Sequence, residues 1–432
     1  MGTQLPTSDH IELITIGREI LDGRIVDTNA VEIARSLRLK GLAIRFSQRI
    51  DDRMEDIVAA FQLAASRSRF VLVTGGLGPT SDDITVEAFS KFLDKSLEIN
   101  PEALKHLESY LAARSLQITP AQHKQCLMPA STHTLANPNG TACGCYNNPQ
   151  QEEAQFFLMP GVPSEMLPML ENEVFPKLPT NENIRQYRWA TQFVPEAMLQ
   201  DRLQSIYEEL PDWIELNFRT RFPENHVALF ADCKNERDLE YYKSFCTRIT
   251  EVLNEDSYFH GPKLKELPEV VIESALSNEY WIGSVESCTG GQIAASLTSI
   301  PGSSGAFFGS WTTYHNSAKV GLGVDKKLIA KHGAVSAEVA EAMAKAGLAQ
   351  MIKSGVSSND KLLCVSTTGV AGPTGGTSEK PVGLCFVGLA SADGSITHER
   401  VQARAHLSRE KYQKYFTQKA LEHLRRSIPD HI

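Results

Sequence analysis

The feature that most constrains this chain is an alternation of short β-rich runs and helical periodicities. Ile11-Glu12-Leu13-Ile14-Thr15-Ile16 is a β-rich run that stops at Gly17. Val26, Ala30, Ile33 and Leu37 then recur at helical spacing, and Gly41 is a natural helix stop. Ala43 to Ile50 reads as a second strand. Asp51 and Asp52 open a helix carrying Ile57, Ala60, Phe61 and Ala64. The fully apolar run Phe70-Val71-Leu72-Val73 then drives into Thr74-Gly75-Gly76. This order predicts an α/β fold with a doubly wound parallel sheet. Ligands of such sheets bind beyond the carboxyl ends of the strands, here Thr15-Ile16-Gly17 and Val73-Thr74-Gly75-Gly76.

The chain has 432 residues, enough for two to three domains at roughly 150 residues each. A Pro and polar cluster, Phe175 to Asn181, closes a first domain over 1–178. Residues 182–257 read as a small α+β module, with a strand at 185–194, a helix at 196–209, strands near 213–218 and 226–231, and a helix from Glu236 to Leu253. It offers no catalytic cluster, so a linker or dimerisation role is the simpler reading. After a second linker, 257–268, another α/β unit covers 265–432. Its strands are expected at 280–285, 307–314, 361–366 and 382–389, and its helices at 290–299, 337–351 and 408–426.

Composition narrows the function classes. An apolar fraction of 42% and a charged fraction of 22% are those of a globular protein. No run of 18 apolar residues exists, so no spanning helix is expected. The first ten residues lack the apolar stretch of a secretory signal. A net charge of -9 argues against dedicated binding to duplex nucleic acid. Eight scattered cysteines without a CxxC pair argue against a zinc ribbon. In apolar stretches they are small core hydrophobes, and cytoplasmic residence follows.

Two loops carry chemistry-bearing residues. In Gly75-Gly76-Leu77-Gly78-Pro79-Thr80-Ser81-Asp82-Asp83 the glycines let backbone amides approach a ligand, and a helix is expected to begin near Asp82. Gly75, Gly76, Gly78 and Thr80 are candidate phosphate contacts. Asp82 and Asp83 either complement the helix dipole or, with Glu19, hold a divalent cation beside the phosphate. Glu286-Ser287-Cys288-Thr289-Gly290-Gly291 likewise follows an apolar strand and opens a helix. Ser287 there is either a plain helix cap or an exposed nucleophile beside outward-pointing amides. Cys288 ranks second, because its side chain is expected to point into packing. In Tyr314-His315-Asn316-Ser317-Ala318-Lys319, a strand end and a helix start place Tyr314 and Lys319 within reach of one pocket. A lysine works as a base only when neutral, which costs about 3–4 kcal/mol of environmental shift. A third Gly-rich loop, Thr367 to Thr377, is either a ligand cradle or a flexible surface loop.

These segments carry a resemblance to a known family. Thr15 to Gly23, Val26-Asp27-Thr28-Asn29, the glycine loop, Asn137 to Ala142 and Pro160 to Met166 resemble the N-terminal domain of the CinA family, which is similar in fold to molybdopterin-binding proteins. The resemblance implies a metal-dependent pyrophosphatase acting on ADP-ribose. Arg18 is a departure, since the family usually places an acid between Gly17 and Glu19. A guanidinium in that crevice cannot hold a cation and repels one, so a weak activity is expected. Cys143, where many members have proline, is a second departure. Asn29 and Ser164 are as readily turn or capping residues as ligand contacts.

The segments Glu286 to Gly291, Pro301 to Ser304, Tyr314 to Lys319, His332 to Ser336, Thr367 to Gly376 and Glu379 to Gly383 resemble the C-terminal CinA domain. That domain is similar to nicotinamide-nucleotide amidohydrolase, which deamidates nicotinamide mononucleotide without a metal or other cofactor. The resemblance implies Ser287 as nucleophile, Lys319 and Tyr314 as proton-transfer partners, and Thr368 as a polar support. It also implies Thr289, Gly290 and Gly291 around the oxyanion, Gly372 and Gly375 on the substrate, and Arg409 on the phosphate. A homodimer without nucleic-acid or membrane partners is expected. The rival readings are a non-catalytic partner of competence or recombination proteins and a pterin-binding module.

Overall fold

The structure is a computed structural model, and it describes residues 10–148, 153–356 and 361–429. The chain divides into two compact units, Met1–Ile184 and Arg185–Ile432.

In the first unit a six-stranded sheet runs in the order Ile44–Ile50, Ile11–Ile16, Phe70–Thr74, Gln155–Met159, Gly144–Asn147, Thr132–Leu135. The first four strands are mutually parallel and the last two antiparallel. Side chains alternate across a strand, so each apolar run feeds two cores. Ile14, Ile16, Val71, Val73, Phe156 and Leu158 pack on Phe61, Ala64 and Phe89. Ile11, Leu13, Phe70, Leu72, Phe157 and Met159 pack on Ile33, Leu37, Met166 and Leu170. Burial on both faces is why these runs are mostly apolar, and the one buried acid among them, Glu12, is paired with Arg67. Two boundaries differ from the sequence expectation. The helix after the glycine loop starts at Thr85, beyond Asp82 and Asp83, and the helix Met54–Ala65 starts after its N-cap Arg53, leaving Asp51 and Asp52 outside it.

In the second unit a four-stranded sheet is ordered Ile214–Arg221, Glu224–Asp232, Ile184–Gln192, Ser257–Gly261, with the helices Glu196–Glu208 and Glu236–Leu253 packed on it. Part of the expected second linker is therefore the edge strand Ser257–Gly261, antiparallel to Ile184–Gln192. An edge strand this short has too few residues to show an alternation. This sheet is fastened to the final helix of the chain, where Gln418 Nε2 donates to Glu224 Oε1 at 2.7 Å.

The second sheet of this unit is mixed, in the order Phe307–Thr312, Tyr280–Glu286, Lys361–Gly369, Leu384–Ser391, Ile396–Gln402. The first three strands are parallel and the last two antiparallel. Helices Leu267–Ser277, Gln292–Thr298 and Arg409–Ser427 share one core with Ile282, Leu363 and Val365. Helix Ala337–Lys353 shares the other with Val285, Leu362 and Cys364. Glu286, Thr312 and Thr367 are aligned in register, which brings Ser287, the 313–319 segment and the 367–377 loop to one edge.

Candidate active site

Ser287 is the first residue after its strand, and its amide donates to the Thr367 carbonyl at 3.0 Å. Helix Asn316–Leu322 starts just past the neighbouring strand, and its last turn carries Lys319 back to this edge. The Lys319 Nζ lies 3.0 Å from Ser287 Oγ and donates to the Thr313 carbonyl at 2.8 Å. Lys319 is 1% exposed and Ser287 8%. No carboxylate pairs with this ammonium among the described residues. Burial disfavours its charged form and holds its pKa below the ordinary lysine value, although the nearby Cys288 opposes this.

A neutral amine has two N–H groups and one lone pair. In the structure Nζ donates to both the Thr313 carbonyl and Ser287 Oγ. Once neutral it can keep the Thr313 bond with one N–H and turn its lone pair to the serine proton, as a general base requires. Cys288 turns the other way, into the core, with its Sγ 3.6 Å from Cys385 Sγ. All eight cysteines are free and buried.

Other expected members of the site are placed differently. The Gly290 amide donates to the Ser287 carbonyl at 3.2 Å, and the Gly291 amide to Glu286 Oε2 at 2.9 Å. These two amides are engaged within the turn, which corrects the expectation that they face an oxyanion. The amides of Cys288 and Thr289 have no partner among the described residues. Thr289 itself is buried, its hydroxyl 2.8 Å from both Glu286 Oε2 and Thr367 Oγ1. Thr368 donates to the Ala334 carbonyl at 2.6 Å and ties two loops together.

Tyr314 is 60% exposed, and its hydroxyl accepts from Arg409 Nη2 at 2.6 Å; among the described residues it makes no bond to Ser287 or Lys319. Arg409 also donates to the Gly372 carbonyl at 2.6 Å, so one guanidinium joins Tyr314 to the 372 loop. Gly375 has a φ of +87° with open space where a Cβ would stand.

The first unit holds a second site. A cavity of about 670 Å³ opens at the carboxyl ends of the parallel strands. Thr15, Gly75, Gly76, Gly78, Thr80 and Asn29 line it together with Glu19, Asp52, Asp82 and Asp83. Gly75 is irreplaceable here, since its φ is +105° and a Cβ would lie 2.1 Å from the Ile16 carbonyl oxygen. Asn29 is a packing residue as well, with Nδ2 on the Gly161 carbonyl at 2.7 Å.

The four carboxylates supply the oxygen donors that a hard cation takes. Among the described residues, however, no three acidic, His or Cys side chains stand close enough to hold a metal by themselves. Asp83 is drawn onto Thr80, whose amide and hydroxyl donate to its Oδ2 at 2.9 and 2.5 Å. Asp82 accepts from Ser81 Oγ at 2.8 Å. A cation in this cavity needs further oxygens from a ligand.

Arg18 does not intrude as the sequence led us to expect. Its side chain is mostly exposed and pairs with Asp51, Nε to Oδ1 at 2.9 Å, while its amide donates to Asp52 Oδ2 at 2.9 Å. The Arg18 guanidinium pairs with Asp51, which also pairs with Arg53, Nε to Oδ2 at 3.1 Å, and Asp52 stands in the cavity. Burial, helped by Glu19, Asp51 and Asp83, pushes the Asp52 carboxyl above its ordinary pKa, against the Arg18 amide bond that lowers it.

Two family models match. The N-terminal part, residues 12–180, matches the family described as "Probable molybdopterin binding domain". Residues 264–428 match the CinA C-terminal domain. The CinA-like protein of Citrifermentans bemidjiense is 36% identical over 97% of this chain and 97% of its own length. That of Chlorobium phaeovibrioides is 35% identical over 97% and 98%. The chain belongs to the CinA family. A solved structure of CinA from Thermoplasma acidophilum is 34% identical, covering 39% of this chain and 98% of that one, with a TM-score of 0.36. The first unit thus has the molybdopterin-binding type of fold, and the second sheet of the other unit is the CinA C-terminal domain. No helix among the described residues is long and apolar enough to cross a membrane.

Two residues of this CinA-family chain escaped the sequence reading. The sequence marks Asp52 as a helix-opening residue, whereas the structure puts it in the cavity lining. Glu286 sits at the end of an apolar strand, where a fully buried carboxylate is rare. An acid immediately before a Gly-rich helix start was the available signal, since it complements unpaired amides.

Proposed function

We propose that the CinA C-terminal domain hydrolyses the carboxamide of nicotinamide mononucleotide to nicotinate mononucleotide and ammonia. The observation that carries this reading is the buried Lys319 Nζ at 3.0 Å from Ser287 Oγ. Ser287 Oγ attacks the carboxamide carbon and its proton passes to Lys319. The oxyanion falls to the free amides of Cys288 and Thr289, where pre-oriented donors stabilise charge as it develops. Collapse expels ammonia, which takes the proton back from Lys319. Water, deprotonated by the same lysine, then cleaves the nicotinoyl ester. Arg409 uses two of its five N–H donors on Tyr314 and Gly372, and those remaining suit a phosphate. Tyr314 acts in this reading through Arg409, at the phosphate end. Ammonia release from nicotinamide mononucleotide by the purified protein is the direct test; its absence under conditions where the protein is folded rejects the reading.

For the first unit the proposal is hydrolysis of ADP-ribose, with a divalent cation as cofactor. One or two carboxylates from among Glu19, Asp52, Asp82 and Asp83 would hold the cation, and the substrate's pyrophosphate oxygens would complete its shell. When bound it would supply neutralisation of phosphate charge. The amides of the 75–80 loop and the Thr80 segment would hold the phosphates in place. Chelation is expected to stop ADP-ribose hydrolysis and leave ammonia release unchanged. Loss of both activities would reject the metal-free serine route.

Arg18→Ala checks whether the outward, Asp51-paired guanidinium affects the cavity. We expect metal-dependent ADP-ribose hydrolysis to stay within about threefold, because an exposed ion pair contributes little. A large rise on removing Arg18 would show that its charge does reach the cation.

A further inference from the structure

We infer that Glu286 is the positioning residue that sets both members of the Ser287–Lys319 pair. The inference rests on the amidase reading proposed above. Glu286 is completely buried, and no cation pairs with it among the described residues. Its carboxylate is instead held by five donors. Oε2 accepts from Thr289 Oγ1 at 2.8 Å, the Gly291 amide at 2.9 Å and the Ile293 amide at 3.1 Å. Oε1 accepts from the Ala294 amide at 2.9 Å and Ser310 Oγ at 3.3 Å.

A buried carboxylate is tolerated only when its lone pairs are filled, and here the first amides of helix Gln292–Thr298 fill them. The consequence is geometric. The helix start is fixed to the end of the strand, and the five residues between them, Ser287 to Gly291, have no freedom to splay. Both glycines of this turn adopt positive φ, +64° at Gly290 and +101° at Gly291, which lets the chain double back to the carboxylate.

The same residue acts on the lysine through its main chain. The Glu286 carbonyl accepts the Thr313 amide at 2.7 Å, and the Thr313 carbonyl accepts Lys319 Nζ. The nucleophile is therefore set by the side chain of Glu286, and the base by its backbone. Both alignments share one origin at the end of a central strand.

A glutamine cannot replace this carboxylate. Its one carbonyl oxygen can keep the three donors of Oε2, but its NH2 then meets the Ala294 amide, donor against donor. The Ser287 turn must shift to relieve this. We expect Glu286→Gln to lower kcat for ammonia release at least about tenfold, with KM within about threefold. The rate at which a fluorophosphonate acylates Ser287 should fall by a similar factor. Glu286→Asp keeps the charge and should recover part of the acylation rate. Thr289→Val, which removes one donor and leaves the backbone cap in place, should cost several-fold in both readouts and covers the case in which Glu286→Gln does not fold.

A purely structural Glu286 would lower the melting temperature and leave the acylation rate of the folded fraction unchanged. Acylation rates within twofold of the parent in both Glu286→Gln and Thr289→Val overturn the inference. Failure of the parent itself to acylate at Ser287 or to release ammonia overturns the amidase reading instead, so the two failures are distinct.

Discussion

Ser287→Ala is expected to abolish ammonia release from nicotinamide mononucleotide while ADP-ribose hydrolysis by the other unit is unaffected. The hydroxyl is the only group at this turn that can form the nicotinoyl ester, because Cys288 is buried against Cys385 with its sulfur pointing into the core. Losing the nucleophile should reduce the rate by several powers of ten, about 4 kcal/mol or more of barrier. The fold should survive, since the Ser287 amide keeps its bond to the Thr367 carbonyl and, among the described residues, Oγ hydrogen-bonds to Lys319 alone. Parallel assays of both activities on the purified variant provide the check. Residual ammonia release within tenfold of the parent would move the chemistry to a water activated by Lys319.

Much of this architecture was legible because it is local. The runs Ile11–Ile16 and Phe70–Thr74 are buried on both faces, so their composition alone marks them as central parallel strands. The Ser287 turn was readable for the same reason, as a strand that ends where a glycine-rich helix start begins. Edge elements were less visible. Ser257–Gly261 and Ile396–Gln402 are edge strands whose pairing depends on partners distant in sequence.

Electrostatic partnership was the least legible level. Arg18 and Asp51 are 33 positions apart, and only the register of Ile11–Ile16 beside Ile44–Ile50 brings them together. Without that contact Arg18 reads as an unpaired charge facing the cavity. Tyr314 and Arg409, separated by 95 positions, meet for an equally non-local reason. Glu286 is the reverse case. Four of its five partners are local, but a carboxylate with no exposed surface contradicts the composition rule for strands.

The second large effect is expected at Lys319, where two substitutions separate a base from a cation. Lys319→Met keeps the length and apolar stem of the side chain and removes the amine. Ammonia release should fall by about 10²–10⁴-fold, the range for a lost general base. Lys319→Arg keeps a positive charge that cannot be given up, so it too should be inactive if the lysine works as a neutral amine. Retained activity in the arginine variant would show that Lys319 serves only as a charge. The pH dependence follows from the same burial. The protonated lysine is inert as a base, so kcat/KM of the parent should rise as pH climbs through the folded pKa. Burial places that midpoint below the ordinary lysine value. In stability the sign is also fixed. Between the depressed folded pKa and the unfolded one, the unfolded chain binds more protons at this position, so the Lys319 contribution to folding increases with pH in that window. Lys319→Met should flatten that part of the stability profile. It should also leave stability at neutral pH equal to or above that of the parent, because the cost of burying an unpaired amine is gone. Denaturant titrations of both proteins across this pH range test it, and a methionine variant that is less stable at neutral pH would show that the amine is held by more favourable contacts than Thr313 and Ser287 provide.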